Sequence, residues 1–162
     1  MLLIFDLDGT AIDSTHRQNT LPDGSLNLAK WQENNTPEKI ALDTLLPLGE
    51  QWALLCKHGL MKKVAIITAR VLGDADYKFL KDNNLRYDFI YSRYAGNDMP
   101  DAQLKRLALY KLAKDMGKSM QWLQNFAVMY DDNLSVLRMA TKLKVANVDA
   151  TLYNQSQLLK KA

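Results

Sequence analysis

Residues 2–10 read Leu-Leu-Ile-Phe-Asp-Leu-Asp-Gly-Thr, and this stretch decides the fold. Four apolar residues run without alternation into Asp6, and Asp8 follows two positions later. An unbroken apolar run of this length predicts a strand buried on both faces, as in a parallel sheet covered by helices. The two carboxylates then emerge at the carboxyl end of the strand, where open α/β sheets hold their ligands. The rest of the chain is read for what it can bring to Asp6 and Asp8.

Further buried strands are predicted at 64–68, 87–91, 126–130 and 145–148, where β-branched and aromatic residues cluster. Helical patterns lie between them. One starts at Thr36-Pro37-Glu38, a capping residue followed by proline and an acid, and stops at Gly59, with Pro47 expected to kink or divide it. Others cover 74–83, 101–116 and 134–143, and a weak one covers 155–160. Alternating strands and helices predict an α/β fold: a Rossmann-like three-layer sandwich with a central parallel sheet of about five strands. Parallel strands share one carboxyl edge, so Asp6/Asp8, Thr68/Arg70 and Asp131/Asp132 should meet there.

The 162 residues suit a single domain, with 48% hydrophobic and 24% charged residues as in soluble globular proteins. A net charge of +3 admits an anionic substrate without marking a nucleic-acid binder. The lone Cys56 can form no internal disulfide, and no Cys/His cluster suggests zinc. No apolar run approaches the roughly 18 residues of a membrane span, and Met1 to Asp6 lacks the basic start of a signal peptide. The expectation is a cytoplasmic protein with no membrane association and no obligatory protein partner.

Residues 9–35 are rich in Asn, Thr, Asp and Ser, with a turn signal at Leu21-Pro22-Asp23-Gly24. They read as a long excursion carrying a small hairpin, with 14–35 as the one candidate flap; Leu26, Leu28 and Trp31 are expected to dock it on the body. There is no room for a large cap domain.

Converging carboxylates make a hard, oxygen-rich site suited to Mg²⁺. An aspartate can attack phosphorus to give an aspartyl-phosphate, and a second carboxyl can protonate the leaving oxygen and then activate water. A hydroxyl such as Thr68 and a cation such as Lys105 or Arg70 can hold the transferred phosphoryl group. Taken singly, several of these residues have plainer explanations. Asp101→Lys105 is also an ordinary i,i+4 helix pair, and the cations from Lys105 to Lys118 also fit a solvated helix face.

The order of DLDGT, a strand ending in Thr68, Lys105 on a later helix and Asp131-Asp132 after a fourth strand resembles the four motifs of the haloacid dehalogenase (HAD) superfamily. Arg17, Arg70 and Asp101 add a narrower resemblance, to the phosphatase domain of phage-type polynucleotide kinase–phosphatase. That resemblance implies a phosphomonoesterase acting on a phosphorylated nucleic-acid end or nucleotide, with removal of a 3′-phosphate the preferred reading. It implies Asp6 as nucleophile and Asp8 as general acid–base. Mg²⁺ would be held by Asp6, the Asp8 carbonyl and the Asp131-Asp132 pair. Thr68 and Lys105 would hold the phosphoryl group, Asp101 would orient Lys105, and Arg17 and Arg70 would support the site. Threonine stands at position 68 where that family often has serine, which keeps the hydroxyl. No GxxxxGK[ST] occurs, so no 5′-kinase activity is expected. The alternatives are a small-molecule phosphatase of the 5′-nucleotidase type and a non-catalytic protein that keeps the fold.

Overall fold

The apolar run Leu2–Phe5 forms β1, the middle strand of a five-stranded sheet, in a computed structural model that describes residues 1–162. The chain continues through β2 (Ile12–Asp13), a single 3₁₀ turn (Thr15–Arg17), α1 (Leu28–Glu33), α2 (Pro37–Ile40), β3 (Thr44–Leu45) and α3 (Pro47–Lys57). It then runs through β4 (Lys63–Ile67), α4 (Asp74–Asp82), β5 (Phe89–Tyr91), α5 (Asp101–Asp115), α6 (Met120–Phe126), β6 (Ala127–Asp131), α7 (Leu134–Lys142), β7 (Ala146–Asp149) and α8 (Ala150–Lys161). The sheet order is β5-β4-β1-β6-β7, and all four pairings are parallel.

Helices cover both faces, which is why β1 is apolar at every position rather than at alternate ones. Leu2 and Ile4 pack with Leu109, Leu112, Leu123, Val136 and Met139 from α5, α6 and α7. Phe5 turns to the other face, among Ile40, Leu48, Trp52, Cys56, Phe79 and Leu80 from α2, α3 and α4. Trp52 stacks on Phe5 at 4.6 Å and donates its indole N–H to the Arg86 carbonyl at 3.0 Å, so it is a core residue with its one polar atom satisfied.

The connection leaving β1 leads to β4 on one side, and the connection leaving β6 leads to β7 on the other. The gap between the ends of β1 and β6 is therefore the point where strand order reverses, and a crevice opens there. Register puts Asp6 and Asp131 at its two lips: Phe5 is level with Tyr130, and the Asp6 N–H donates to the Tyr130 carbonyl at 3.1 Å.

Three local departures from the sequence reading have clear causes. Pro47 divides the helical stretch, as expected, and occupies the first turn of its second part, where its missing N–H costs nothing. The residues before it leave the helix so that Thr44–Leu45 can pair with Ile12–Asp13. Phe126 closes α6 instead of opening β6, because Ser119 accepts from the Trp122 N–H and starts a helix the apolar pattern did not signal. The last helix is longer than 155–160, since Asp149 caps it through the N–H groups of Thr151 and Leu152. Buried Asn154 on that helix ties α3 to the turn after β1: it accepts from the Leu48 N–H and donates to the Thr10 carbonyl, each at 2.9 Å.

In the excursion, Thr20 bridges to Leu26 around the Leu21–Gly24 turn, which is the small hairpin. Leu26 and Leu28 do not dock it. Both are exposed, and α1 buries none of its residues, because a six-residue helix here faces polar site residues rather than the core.

Gly49 supplies a test of the packing. Alanine is normally the better helix residue by about 1 kcal/mol. At this position a Cβ would overlap the Ala11 carbonyl, on which the start of α3 rests through the Leu46 N–H at 3.0 Å. Gly49→Ala is therefore expected to destabilise by about 1–3 kcal/mol, the usual cost of overpacking, in chemical denaturation. An unchanged or raised midpoint would show that α3 can slide away from Ala11.

Candidate active site

Asp6 leaves β1 pointing into the crevice, where its Oδ1 lies 2.9 Å from Lys105 Nζ. Lys105, from the first half of α5, also donates to Asp131 Oδ2 at 2.7 Å. Both the lysine and Asp131 are fully buried, and Asp131 Oδ1 accepts from the Asn133 N–H at 3.0 Å. Burial alone would discharge an ammonium group, but the attraction of Asp6 and Asp131 outweighs it and holds the Lys105 pKa above its ordinary value.

Burial pushes the Asp6 carboxyl up to about 7; the negative charges of Asp131 and Asp8 add to this, and Lys105 opposes it. Asp132 is pushed up to about 6 by burial and the Asp6 charge, and Asp131 is raised by burial. One oxygen from each of Asp6, Asp131 and Asp132 lies within 4.8 Å of the others. Three crowded carboxylates with a single lysine among them fit a hard divalent cation, which would offset their repulsion and take oxygen ligands only. Gly9 makes this approach possible. Its φ is +72°, and a Cβ there would overlap the Asp132 carboxylate.

Asp8 points elsewhere. Its carboxylate receives Arg70 Nε at 3.0 Å, a second Arg70 nitrogen, and the Ser14 hydroxyl at 2.6 Å. Burial acts to raise its pKa, but Arg70 and Ser14 overcome that and hold it below the usual carboxylate range. The side chain is thus not one of the three clustered carboxylates.

Thr68, buried at the end of β4, accepts from the Arg70 N–H at 3.1 Å, which leaves its own hydroxyl proton for a ligand oxygen. Arg70 is itself anchored: it donates to Asp76 Oδ1 at 2.6 Å and lies 3.5 Å from Asp43. Arg17 forms a two-pronged pair with buried Asp43, both bonds 2.8 Å, and reaches Asn35 Oδ1 at 3.3 Å. Asp43 also contacts His16 Nε2 at 2.8 Å, so one carboxylate gathers two arginines and a histidine.

Asp101 does not orient Lys105. Its carboxylate is partly exposed and pairs with Arg93 at 2.7 Å, while Lys105 turns inward to Asp6 and Asp131. The two deeper carboxylates hold the lysine in low-dielectric surroundings, where they attract it more strongly than a solvated neighbour does. Sequence reasoning also missed Ser14, Asp43 and Asp76. Asp43 sits in an apolar stretch that reads as helix, and Asp76 reads as an acid in a first helical turn. Only an acid amid apolar residues hinted at Asp43.

These features can be compared with known proteins. A 5′-deoxynucleotidase of Escherichia phage T5 is 29% identical over 168 residues, covering 94% of this chain and 68% of that protein. A chain of the Pnkp1/Rnl/Hen1 RNA repair complex superposes with a TM-score of 0.56 at 21% identity; the match covers 91% of this chain but only 41% of that one. A haloacid dehalogenase-like hydrolase of Streptococcus pneumoniae gives 0.57 at 12% identity, over 95% of this chain and 90% of the other. The likeness to these two structures is one of fold. The family described as bacteriophage T5 5′-deoxynucleotidase matches residues 1–160, so the chain belongs to that family, a family of phosphatases, and it shares its fold with a haloacid dehalogenase-like hydrolase.

Proposed function

We propose that this phosphatase is a phosphomonoesterase for nucleotides, that 5′-deoxynucleoside monophosphates are its substrates, and that it works through an aspartyl-phosphate on Asp6. The observation that carries the reading is the family match over residues 1–160, to a family described as a 5′-deoxynucleotidase. The resemblance to polynucleotide kinase–phosphatase implied a polynucleotide 3′-phosphatase, and the family match moves the preference to the mononucleotide.

Mg²⁺ would be held by Asp6, Asp131, Asp132 and the Asp8 carbonyl, and would supply neutralisation of the charge that an anionic nucleophile meets on an anionic ester. Asp6 attacks phosphorus, the new O–P bond forms, and the bond to the nucleoside oxygen breaks. Thr68 and Lys105 hold the non-bridging oxygens as charge spreads over them. Asp8 is ionised in the free site, but a dianionic phosphate within reach raises its proton affinity, so it can carry the proton that the leaving oxygen needs. Asp8 then takes a proton from water, which attacks the aspartyl-phosphate, releases phosphate and restores Asp6.

A substrate panel tests this: 5′-deoxynucleoside monophosphates, 3′-mononucleotides, oligonucleotides ending in a 3′-phosphate, and an aryl phosphate. The expected result is a kcat/KM for the 5′-deoxynucleotides at least about tenfold above the others, as for a site shaped to one leaving group. Activity confined to 3′-phosphate ends would overturn the 5′ assignment.

The metal assignment has a pH signature. Folded-state pKa values of about 7 for Asp6 and about 6 for Asp132 lie above their ordinary 3.8. Each therefore costs stability that grows as pH rises from about 4, where the unfolded carboxyl ionises, and is full above the folded pKa. A cation replaces those protons. Mg²⁺ is expected to raise Tm more at pH 8 than at pH 5.5, and an equal rise at both would remove these carboxylates from the binding site.

A further inference from the structure

Trp31 is a large aromatic residue in a helix that reaches no core, since α1 buries none of its residues. Its ring lies instead over the Arg17 guanidinium at 4.3 Å, with the Arg70 guanidinium at 5.9 Å. Core packing therefore does not account for its position, and the ring remains partly exposed. Phe5, at the end of β1, is by contrast buried and stacks with Trp52 and Tyr130.

The side of the site matters. In an in-line displacement the attacking and leaving oxygens occupy opposite apices of phosphorus. Asp6 marks the attacking side, and the acid that protonates the leaving oxygen marks the other. That acid is Asp8, which is gripped by Arg70 through Nε and a second nitrogen. The indole that lies beside Arg70 is thus on the leaving-group side, one guanidinium away from the carboxyl that meets the nucleoside oxygen. Its flap is tied down next to it, since Asn34 Nδ2 donates to the Arg17 carbonyl at 3.0 Å.

We infer that Trp31 is a specificity-determining residue whose indole ring stacks on the nucleobase of the leaving nucleoside. The inference rests on the nucleotide reading above and goes beyond it by naming the contact that recognises the base. Every base presents a π-face, so such a platform selects for the presence of a base with little preference among bases. The arginine behind the ring fixes its plane and adds cation–π attraction.

The test compares wild type, Trp31→Ala and Trp31→Phe on the four 5′-deoxynucleoside monophosphates and on deoxyribose 5-phosphate, which has the same leaving sugar and no base. Wild type is expected to prefer the nucleotides. Trp31→Ala is expected to cut that preference about tenfold or more, chiefly through KM, the scale set by one lost base–aromatic stack. Trp31→Phe is expected to keep most of the preference, and it stands in if the alanine variant fails to fold. Equal losses of Trp31→Ala on both substrate types would overturn the inference and make Trp31 a prop for Arg17. A wild-type enzyme that hydrolyses the nucleotides but no faster than the base-free ester overturns it too. A wild-type enzyme inactive on all 5′-deoxynucleotides would bring down the nucleotide reading and the inference together, so the two failures are distinguishable.

Discussion

Asp6→Asn is expected to lower kcat by about 10⁴-fold or more, the scale on which enzymes lose rate when a covalent nucleophile is removed. The amide keeps the shape and one acceptor oxygen but cannot form an acyl-phosphate. Stability should not fall with it. Asp6 is buried beside Asp131 and near Asp8, and its charge is disfavoured there strongly enough to bring its pKa to about 7. A neutral side chain removes that cost, while Lys105 keeps its 2.7 Å bond to Asp131. The expected pair of results is an inactive protein with an equal or higher Tm in the absence of metal. Phosphorylation of the wild type by substrate, trapped by acid quench and absent from the variant, would locate the covalent step. Turnover near the wild-type rate in the variant would mean that a different group attacks phosphorus.

Lys105→Met should damage both stability and catalysis. The ammonium group is the one cation directly bonded to Asp6 and Asp131, and methionine leaves both carboxylates buried without it. Removing one partner of a buried ion pair typically costs about 3–5 kcal/mol. In a chain of this size that corresponds to a fall in Tm of roughly 10 °C. The sign of the pH dependence separates charge from packing. Removing the lysine raises the folded pKa of the carboxyls it faces, and a group whose folded pKa is raised loses stability progressively as pH rises toward that value. The deficit of Lys105→Met should therefore be full at pH 8 and shrink toward pH 5.5, and Mg²⁺ should recover part of it at pH 8. A deficit of the same size at both pH values would point to lost packing of the lysine stem. For kcat, loss of the cation that steadies the phosphoryl oxygens should cost about 10²–10³-fold, as for other preorganised donors.

The legible part of the fold was the part written in unbroken apolar runs. Residues 2–5 and 64–67 have no alternation because helices cover both faces, and that density of apolar residues survives any local ambiguity. Among the elements that were missed, β2 and β3 have a stability that is not local. The β2–β3 pair has two residues in each strand and exists because Ile12 and Leu45 are brought together from 33 positions apart. The start of α3 depends on Gly49 lying against Ala11 and on Leu48 meeting Asn154, contacts with no trace in a window of ten residues.

By itself the sequence determined the α/β class and the placing of carboxylates and a hydroxyl at strand ends, because strand polarity and apolar periodicity are local and a parallel sheet has one carboxyl edge. Only the tertiary structure decided how those groups divide. Asp6, Asp131 and Asp132 cluster around Lys105, whereas Asp8 is drawn off to Arg70 and Ser14. It also decided that Asp101 serves Arg93, and that unremarkable Asp43 gathers His16, Arg17 and Arg70. The physical reason is that a buried charge pairs with whichever opposite charge shares its low-dielectric surroundings, and which groups are buried together is settled by packing across the whole chain.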